Sequence, residues 1–455
     1  MDALNNISNI FKAYDVRGKV GSELNGDVAE VIGKALADWL PEHGAVAVGR
    51  DMRPDSAELA DSLISGLQSQ GRDVIDIGEV TSDMIYFAVG SMDLAGGAMV
   101  TASHNPGEYN GIKLCREAAK PIGQESGLFE VRDAVLSKSF RPAPKQPGNV
   151  SQQDITEAWI THVLSFIDTA KLKEQRIAVD AGNGMAGKIF PELEPYVPWE
   201  VTEMYFELDG TFPNHEANPL KFETLEDLIT KIKADKLDGG IAFDGDGDRA
   251  FLVDETGTVV TGNVMNAMLA EYFLGLHPES AILYDLRSSR AVPQAIEAKG
   301  GKAIRTRVGH SFIKQIMREH NAPFGGEVSG HFYFRDNYYA DSGLIAAVIG
   351  LYVAGLSGKS LSKLREHYTN YASLPETNFE IQNKDAVLSV IKETFKEGEH
   401  DELDGLTVDL GDGSWFNVRA SNTEPVLRLN AEAKSESELE KLVTKVTKII
   451  TRDGQ

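Results

Sequence analysis

The chain has 455 residues, of which 42% are hydrophobic and 25% charged, and a formal net charge of −24. That length exceeds one ordinary core and implies three or four domains, while the composition excludes disordered and fibrous classes. The acidic balance argues against nucleic acid and membrane surfaces as partners, because both need a basic counter-surface, and it obliges any anionic ligand to find a local cluster of Arg and Lys.

The N-terminus, Met1-Asp2-Ala3-Leu4-Asn5-Asn6, carries no basic stretch and no long apolar run, so no signal peptide is expected. Strand-like apolar runs follow at Ala45 to Val48, Asp73 to Ile77, Ala98 to Thr101, Arg176 to Val179, Gly240 to Phe243 and Ala281 to Tyr284, each leading into a turn and a helical pattern. This order predicts an α/β protein: three related α/β domains with mixed sheets. Thr407 to Leu410, Trp415 to Val418 and Val426 to Leu429 read as strands ahead of an amphipathic helix from about Ser435 to Ile450, a smaller C-terminal α+β domain. Expected boundaries fall in the proline-dense Arg141 to Gly148, at Asp254 to Gly257 and at Ala372 to Pro375, giving domains 1–146, 147–254, 255–371 and 372–455. Cys115 is the single cysteine, so no intramolecular disulfide can form. The apolar stretch from Gly343 to Leu356 is shorter than the roughly 20 residues of a membrane span. A cytoplasmic protein is expected.

Four loops carry the chemistry, and two further glycine-bearing segments imitate known motifs. Thr101-Ala102-Ser103-His104-Asn105-Pro106 follows a strand and offers a serine hydroxyl beside a histidine, with Lys113 ten residues on; a serine nucleophile needs such a base or a metal. Gly182-Asn183-Gly184-Met185-Ala186-Gly187 matches a dinucleotide fingerprint but lacks its acidic partner, and reads as a tight strand-to-helix turn. In Asp244-Gly245-Asp246-Gly247-Asp248-Arg249, three carboxylates at alternate positions can converge on one hard cation, Mg²⁺ or Ca²⁺ rather than zinc. Arg249 stands where a calcium-binding EF-hand needs glycine, and the flanks read as strands. Gly325-Gly326-Glu327-Val328-Ser329-Gly330-His331 supplies donors and acceptors for sugar hydroxyls, with His310 upstream near a helix start. Arg419-Ala420-Ser421-Asn422-Thr423-Glu424-Pro425, with Arg428 beyond it, is the local positive cluster and an anion nest. Gly358-Lys359-Ser360 imitates the end of a P-loop, but Val353 replaces its first glycine.

Phe11-Lys12-Ala13-Tyr14-Asp15-Val16-Arg17-Gly18 near the start, Thr101 to Pro106, Asp244 to Arg249, Gly326 to His331 and Arg419 to Pro425, in this order, resemble the α-D-phosphohexomutase family, in particular its bacterial phosphomannomutase/phosphoglucomutase members, along essentially the whole chain. The resemblance implies four domains around a central cleft and a phosphoryl group carried by Ser103. It implies Mg²⁺ held by Asp244, Asp246, Asp248 and the phosphoserine, sugar hydroxyls gripped by Glu327 and Ser329, and the non-reacting phosphate held by Arg419, Ser421, Asn422 and Thr423. Tyr14, Arg17, Lys113, Arg249, His310 and His331 would line the cleft. Arg287 replaces a lysine found in many relatives, and arginine cannot share its acid–base chemistry. The expected activity interconverts hexose 1-phosphate and hexose 6-phosphate through a hexose 1,6-bisphosphate, with Lys113 and His310 as acid–base candidates. An amino-sugar phosphate mutase, a metal-dependent sugar phosphatase and a non-catalytic phosphosugar binder remain rivals, and the oligomeric state, monomer or dimer, is open.

Overall fold

Four sheets, three mixed and one antiparallel, set out the molecule. The computed structural model describes residues 7–41, 43–381, 383–420 and 426–453, with His310 described by its backbone alone. The first sheet runs in the order Val16–Lys19, Tyr109–Arg116, Gly96–Val100, Val46–Arg50, Val74–Glu79, Val150–Gln152, with Lys120–Pro121 paired to Tyr109–Arg116. Its central strands are parallel, and Gly96–Val100 with Tyr109–Arg116 is antiparallel. The second sheet orders Val259–Val260, Ala250–Asp254, Gly239–Phe243, Gln175–Asp180 and Trp199–Met204; the third orders Lys302–Thr306, Ala281–Asp285, Phe324–Gly326, Phe332–Phe334 and Ala340–Asp341. Both combine parallel strands with an antiparallel hairpin. The fourth sheet, Ala372–Glu380, Val426–Ala433, Trp415–Ala420, Leu406–Asp409 and Glu399–Asp401, is antiparallel throughout and packs on the helices Lys384–Thr394 and Glu436–Asp453.

The short strands form where the runs are apolar and β-branched, and they are buried on both faces where they lie inside a sheet: every residue of Gly96–Val100, Gly239–Phe243 and Ala250–Asp254 is buried. Some helices start where the side chain before them caps a free N–H. Asn25 accepts from Val28 N at 3.1 Å and Ser342 from Ile345 N at 3.1 Å. Ser342 opens the apolar helix Gly343–Ser357, which is buried along most of its length and joins a core shared by the three α/β units. No single helix among the described residues is long and apolar enough to cross a membrane. The fourth unit keeps a core of its own, from Ile381 to Ile450.

Two of the sheets reach past an expected boundary. Val150–Gln152 pairs in parallel with Val74–Glu79, so the first sheet continues past residue 146, and Val259–Val260 completes the second sheet beyond Asp254. At the third expected boundary, Ala372 to Pro375 opens the nine-residue strand Ala372–Glu380 of the fourth sheet. The strand lies at the sheet edge, and its register shifts between Leu374 and Thr377, where Pro375 needs no ladder partner.

The hairpins place the motifs. Residues 101–108 connect Gly96–Val100 to Tyr109–Arg116, residues 244–249 connect Gly239–Phe243 to Ala250–Asp254, and residues 327–331 connect Phe324–Gly326 to Phe332–Phe334. Residues 421–425, which include the expected phosphate contacts Ser421, Asn422 and Thr423, fall between Trp415–Ala420 and Val426–Ala433 and lie outside the described residues.

Candidate active site

The loop bearing Ser103 and the loop bearing the three aspartates come from different sheets and touch. Ser103 Oγ lies 3.0 Å from Asp244 Oδ2. The approach depends on Gly245, because a Cβ there would meet the Ser103 carbonyl at 2.5 Å. Ser103 itself has φ +52°, a left-handed conformation that costs a side-chain-bearing residue energy and persists only when its surroundings impose it. Here Arg53 imposes it. That buried guanidinium donates to the carbonyls of Ser103, Asn105, Pro106 and Tyr109 at 2.7–2.9 Å, and its charge is matched by Asp51 at 3.3 Å. Ser103 N also donates to Thr101 Oγ1 at 2.9 Å.

The carboxylate oxygens of Asp244, Asp246 and Asp248 lie within 4.8 Å of one another, and all three residues are buried. Lys113 reaches them because the strand Tyr109–Arg116 sends Ile112 and Leu114 into the core and Lys113 to the opposite face. Its Nζ is 2.6 Å from Asp246 Oδ2 and 2.5 Å from Asp248 Oδ2. Burial works against that ammonium, but the two carboxylates override it and hold Lys113 charged, well above the ordinary lysine value. Burial likewise pushes Asp246 upward; Lys113 reverses the effect and holds it low. Asp244 is different: burial, reinforced by the neighbouring carboxylates, pushes it to about 7 despite Arg249. Arg249 donates from Nε to Asp244 Oδ2 at 2.8 Å and from its other arm to His104 Nδ1. A guanidinium only donates, so Nδ1 of His104 accepts, and Arg249 together with burial keeps that imidazole neutral, well below the usual histidine value.

A hard cation fits this set. The donors are all oxygen, and Asp246 Oδ1 and Asp248 Oδ1 are buried with no hydrogen-bond partner among the described residues, which leaves lone pairs aimed at no proton. Asp248, His331 and Asp341 form a second close trio.

Tyr14, Arg17, Ser103, Lys113, Asp248, Arg249 and His331 line one cavity of about 230 Å³. Arg17 is fixed by Asp15 at 2.8 Å and by Asn105 of the serine loop at 3.1 Å. Tyr14 also borders a cavity of about 550 Å³ between the first and third units. Gly309 sits against Tyr14, at φ +128°, where a Cβ would lie 2.5 Å from the phenol oxygen.

The other expected residues form a second group. Glu327 accepts from Gly309 N at 3.1 Å and from the Tyr333 hydroxyl at 2.6 Å, with Arg287 at 3.8 Å; Ser329 is half-buried on the same turn. Arg287 is tied to Asp285 at 2.9 Å, and the surrounding carboxylates raise its affinity for the proton, so it acts only as a charge and a donor. Arg419 and Arg428, opposite one another in the fourth sheet, converge on Glu376 at 2.6 and 3.5 Å, with Arg287 at 3.9 Å. The backbone of His310 opens the helix His310–His320.

Several contributors are absent from the sequence reading: Arg53, Ser82, Asp83, Lys314, Asp341 and Glu376. Ser82 donates to Asp246 through both its hydroxyl and its N–H, and Asp83 accepts from Thr81 and Ser342, which ties the first unit to the second and third. In the sequence, Thr81-Ser82-Asp83 reads as nothing more than a helix start.

Comparison with known proteins supplies the family. Models of the phosphoglucomutase/phosphomannomutase alpha/beta/alpha domains I, II and III match residues 8–141, 157–257 and 261–371, and the model of the C-terminal domain matches 376–449. Over 433 residues the chain is 40% identical to a protein of Xanthomonas campestris pv. campestris (strain B100) described as phosphohexose mutases, covering 94% of this chain and 96% of that one. It is 38% identical to a phosphomannomutase of Salmonella montevideo, covering 97% and 98%. A crystal structure of a phosphoglucomutase/phosphomannomutase family protein from Burkholderia thailandensis superposes with a TM-score of 0.90 at 31% identity, covering 98% of this chain and 97% of that one. Matched in all four units, the chain belongs to the phosphoglucomutase/phosphomannomutase family and is a phosphohexomutase, an isomerase that works by phosphoryl transfer.

Proposed function

We propose that the chain interconverts hexose 1-phosphate and hexose 6-phosphate, with mannose, glucose or both as the sugar, through a phosphoserine at residue 103 and a hexose 1,6-bisphosphate. The observation that carries this reading is the 3.0 Å contact between the Ser103 hydroxyl and the first of three clustered aspartates. Asp244, Asp246 and Asp248 would hold Mg²⁺, which when bound offsets charge on the transferring phosphoryl group. The bond from phosphorus to Ser103 Oγ breaks as one forms to the free hydroxyl of the monophosphate, whose proton leaves to a base. The bisphosphate turns over, and Ser103 takes back the other phosphoryl group.

The chain's own residues supply position and charge. Arg53 holds the serine loop, Arg249 faces the phosphoryl oxygens, and Arg17 and Tyr14 line the entrance. Lys113, kept protonated, is an acid before it is a base. Glu327 and Ser329 are the sugar contacts, with His331 at the cavity wall. The anion nest of Arg419, Arg428 and residues 421–423 holds whichever phosphate is not reacting. His310 stays an acid–base candidate, and Arg287 contributes charge alone.

The test is a coupled assay of mannose 1-phosphate, glucose 1-phosphate and their 2-amino counterparts, with and without magnesium and a bisphosphate activator. The proposal requires magnesium-dependent isomerisation of one or both of the first two. Steady release of inorganic phosphate without isomerisation would overturn it in favour of a phosphatase, and turnover confined to amino sugars would overturn the sugar assignment.

A further inference from the structure

A buried lysine sits behind the cavity. Lys314, on the helix His310–His320, has 1% of its side chain exposed, and its Nζ lies 2.7 Å from Asp341 Oδ1. The ring of Tyr86 lies below it, 4.0 Å from Nζ to the ring centre. An ammonium in such a place is tolerated only because an anion meets it. The other oxygen of the same carboxylate, Asp341 Oδ2, lies 2.8 Å from Nδ1 of His331. Three residues, on the helix, on the loop 327–331 and on the strand Ala340–Asp341, thus form a line, Lys314 to Asp341 to His331, that ends at the wall of the Ser103 cavity.

The line has a chemical consequence. A carboxylate paired with an ammonium only accepts hydrogen bonds, and the Asp248 carboxylate also lies 4.0 Å from Nδ1, so with Asp341 at hydrogen-bond distance Nδ1 of His331 must carry the proton. Nε2 makes no hydrogen bond among the described residues and is the ring nitrogen left for whatever enters the cavity. Tyr333 lies alongside the imidazole, ring centres 6.3 Å apart, and limits its rotation. We propose that Asp341, neutralised by Lys314, is a positioning residue that fixes the orientation and Nδ1–H tautomer of His331, so that Nε2 is presented to the sugar phosphate. This rests on the mutase reading for what enters the cavity, but the tautomer itself does not depend on it.

Asp341→Asn makes the argument testable, because an amide has one acceptor where a carboxylate has two. Lys314 has only donors to offer and claims the amide oxygen. The amide NH₂ then faces His331, whose Nδ1 must accept, and the proton moves to Nε2. The wild type, D341N, H331A, D341N/H331A and K314M/D341N are compared by steady-state kinetics on the preferred hexose 1-phosphate and by ¹⁵N histidine spectroscopy. Expected is a fall in kcat on the order of 10–100-fold in D341N, the usual effect of losing such a partner, with KM little changed and His331 Nδ1 moving from a protonated to an unprotonated shift. D341N should have no further effect in the H331A background, and K314M should restore Nδ1–H and much of kcat to D341N by freeing the amide oxygen.

The proposal is overturned if wild-type His331 shows an unprotonated Nδ1, or if D341N costs the same factor with and without His331. If the wild type proves inactive on every hexose phosphate, the mutase reading fails while the spectroscopic arm still decides the tautomer. Should D341N not fold, the wild-type spectrum alone carries the decision.

Discussion

Replacing Arg53 by lysine should disable the protein without touching a reacting atom. The guanidinium donates to four carbonyls of the serine loop at 2.7–2.9 Å. It also pairs with buried Asp51 and lies over Phe212, 5.1 Å from the ring centre. Lysine keeps the charge and so the balance with Asp51, but its single compact head cannot reach carbonyls spread from residue 103 to residue 109. Two to three charge-assisted hydrogen bonds would be lost, at about 1.5 kcal/mol net each at the low end for charged donors, or roughly 3–4.5 kcal/mol in all. Ser103 at φ +52° would then relax, and a displacement of even about 1 Å can cost on the order of 100-fold in rate. Hydrogen exchange of residues 101–109 together with kcat is the assay. Faster exchange confined to that segment and a loss of more than tenfold in kcat are expected. Unchanged exchange with a lowered kcat would refute the view that Arg53 acts by holding the loop.

Asp83, pushed to about 7 chiefly by burial, has a folded-state value above its unfolded one, so the folded chain binds its proton more tightly. Its contribution to stability is therefore fully present below about pH 4 and is lost as pH rises through about 7, by on the order of 4 kcal/mol; the difference in urea-unfolding stability between wild type and D83N should follow that course, and a flat difference would refute it. Gly309→Ala places a Cβ 2.5 Å from the Tyr14 hydroxyl at a φ that disfavours it. Strain of about 1–3 kcal/mol is expected, with a raised KM as Tyr14 shifts; unchanged thermal stability and KM would count against the contact. Glu376 occupies Arg419, Arg428 and Arg287 as a phosphate would. E376Q should therefore tighten inhibition by inorganic phosphate severalfold, and weaker inhibition would show that Glu376 orders the arginines instead of competing for them.

The sequence exposes what is contiguous and hides what is assembled. Asp244, Asp246 and Asp248 are legible because one turn holds all three, and their hairpin is legible because its flanks are continuous apolar runs. Lys113 is legible through strand alternation. Lys314 is not: in sequence it is a basic residue in a helix ending Arg318-Glu319-His320, and its burial follows only from Asp341, which lies on another element. Arg53, Ser82 and Glu376 are hidden for the same reason, each drawing its meaning from partners tens to hundreds of residues away. The strands just beyond the first two expected boundaries, three residues at Val150–Gln152 and two at Val259–Val260, are too short to show a period in the sequence.

The central claim is that residue 103 accepts and returns a phosphoryl group beside the three aspartates. It is tested most directly by incubating the purified protein with magnesium and a hexose 1,6-bisphosphate and mapping the phosphorylated peptide by mass spectrometry. The account predicts one added phosphoryl group, on Ser103, chased off by hexose monophosphate, and neither S103A nor D246N labelled. A label on any other residue, or full turnover by S103A, would contradict it.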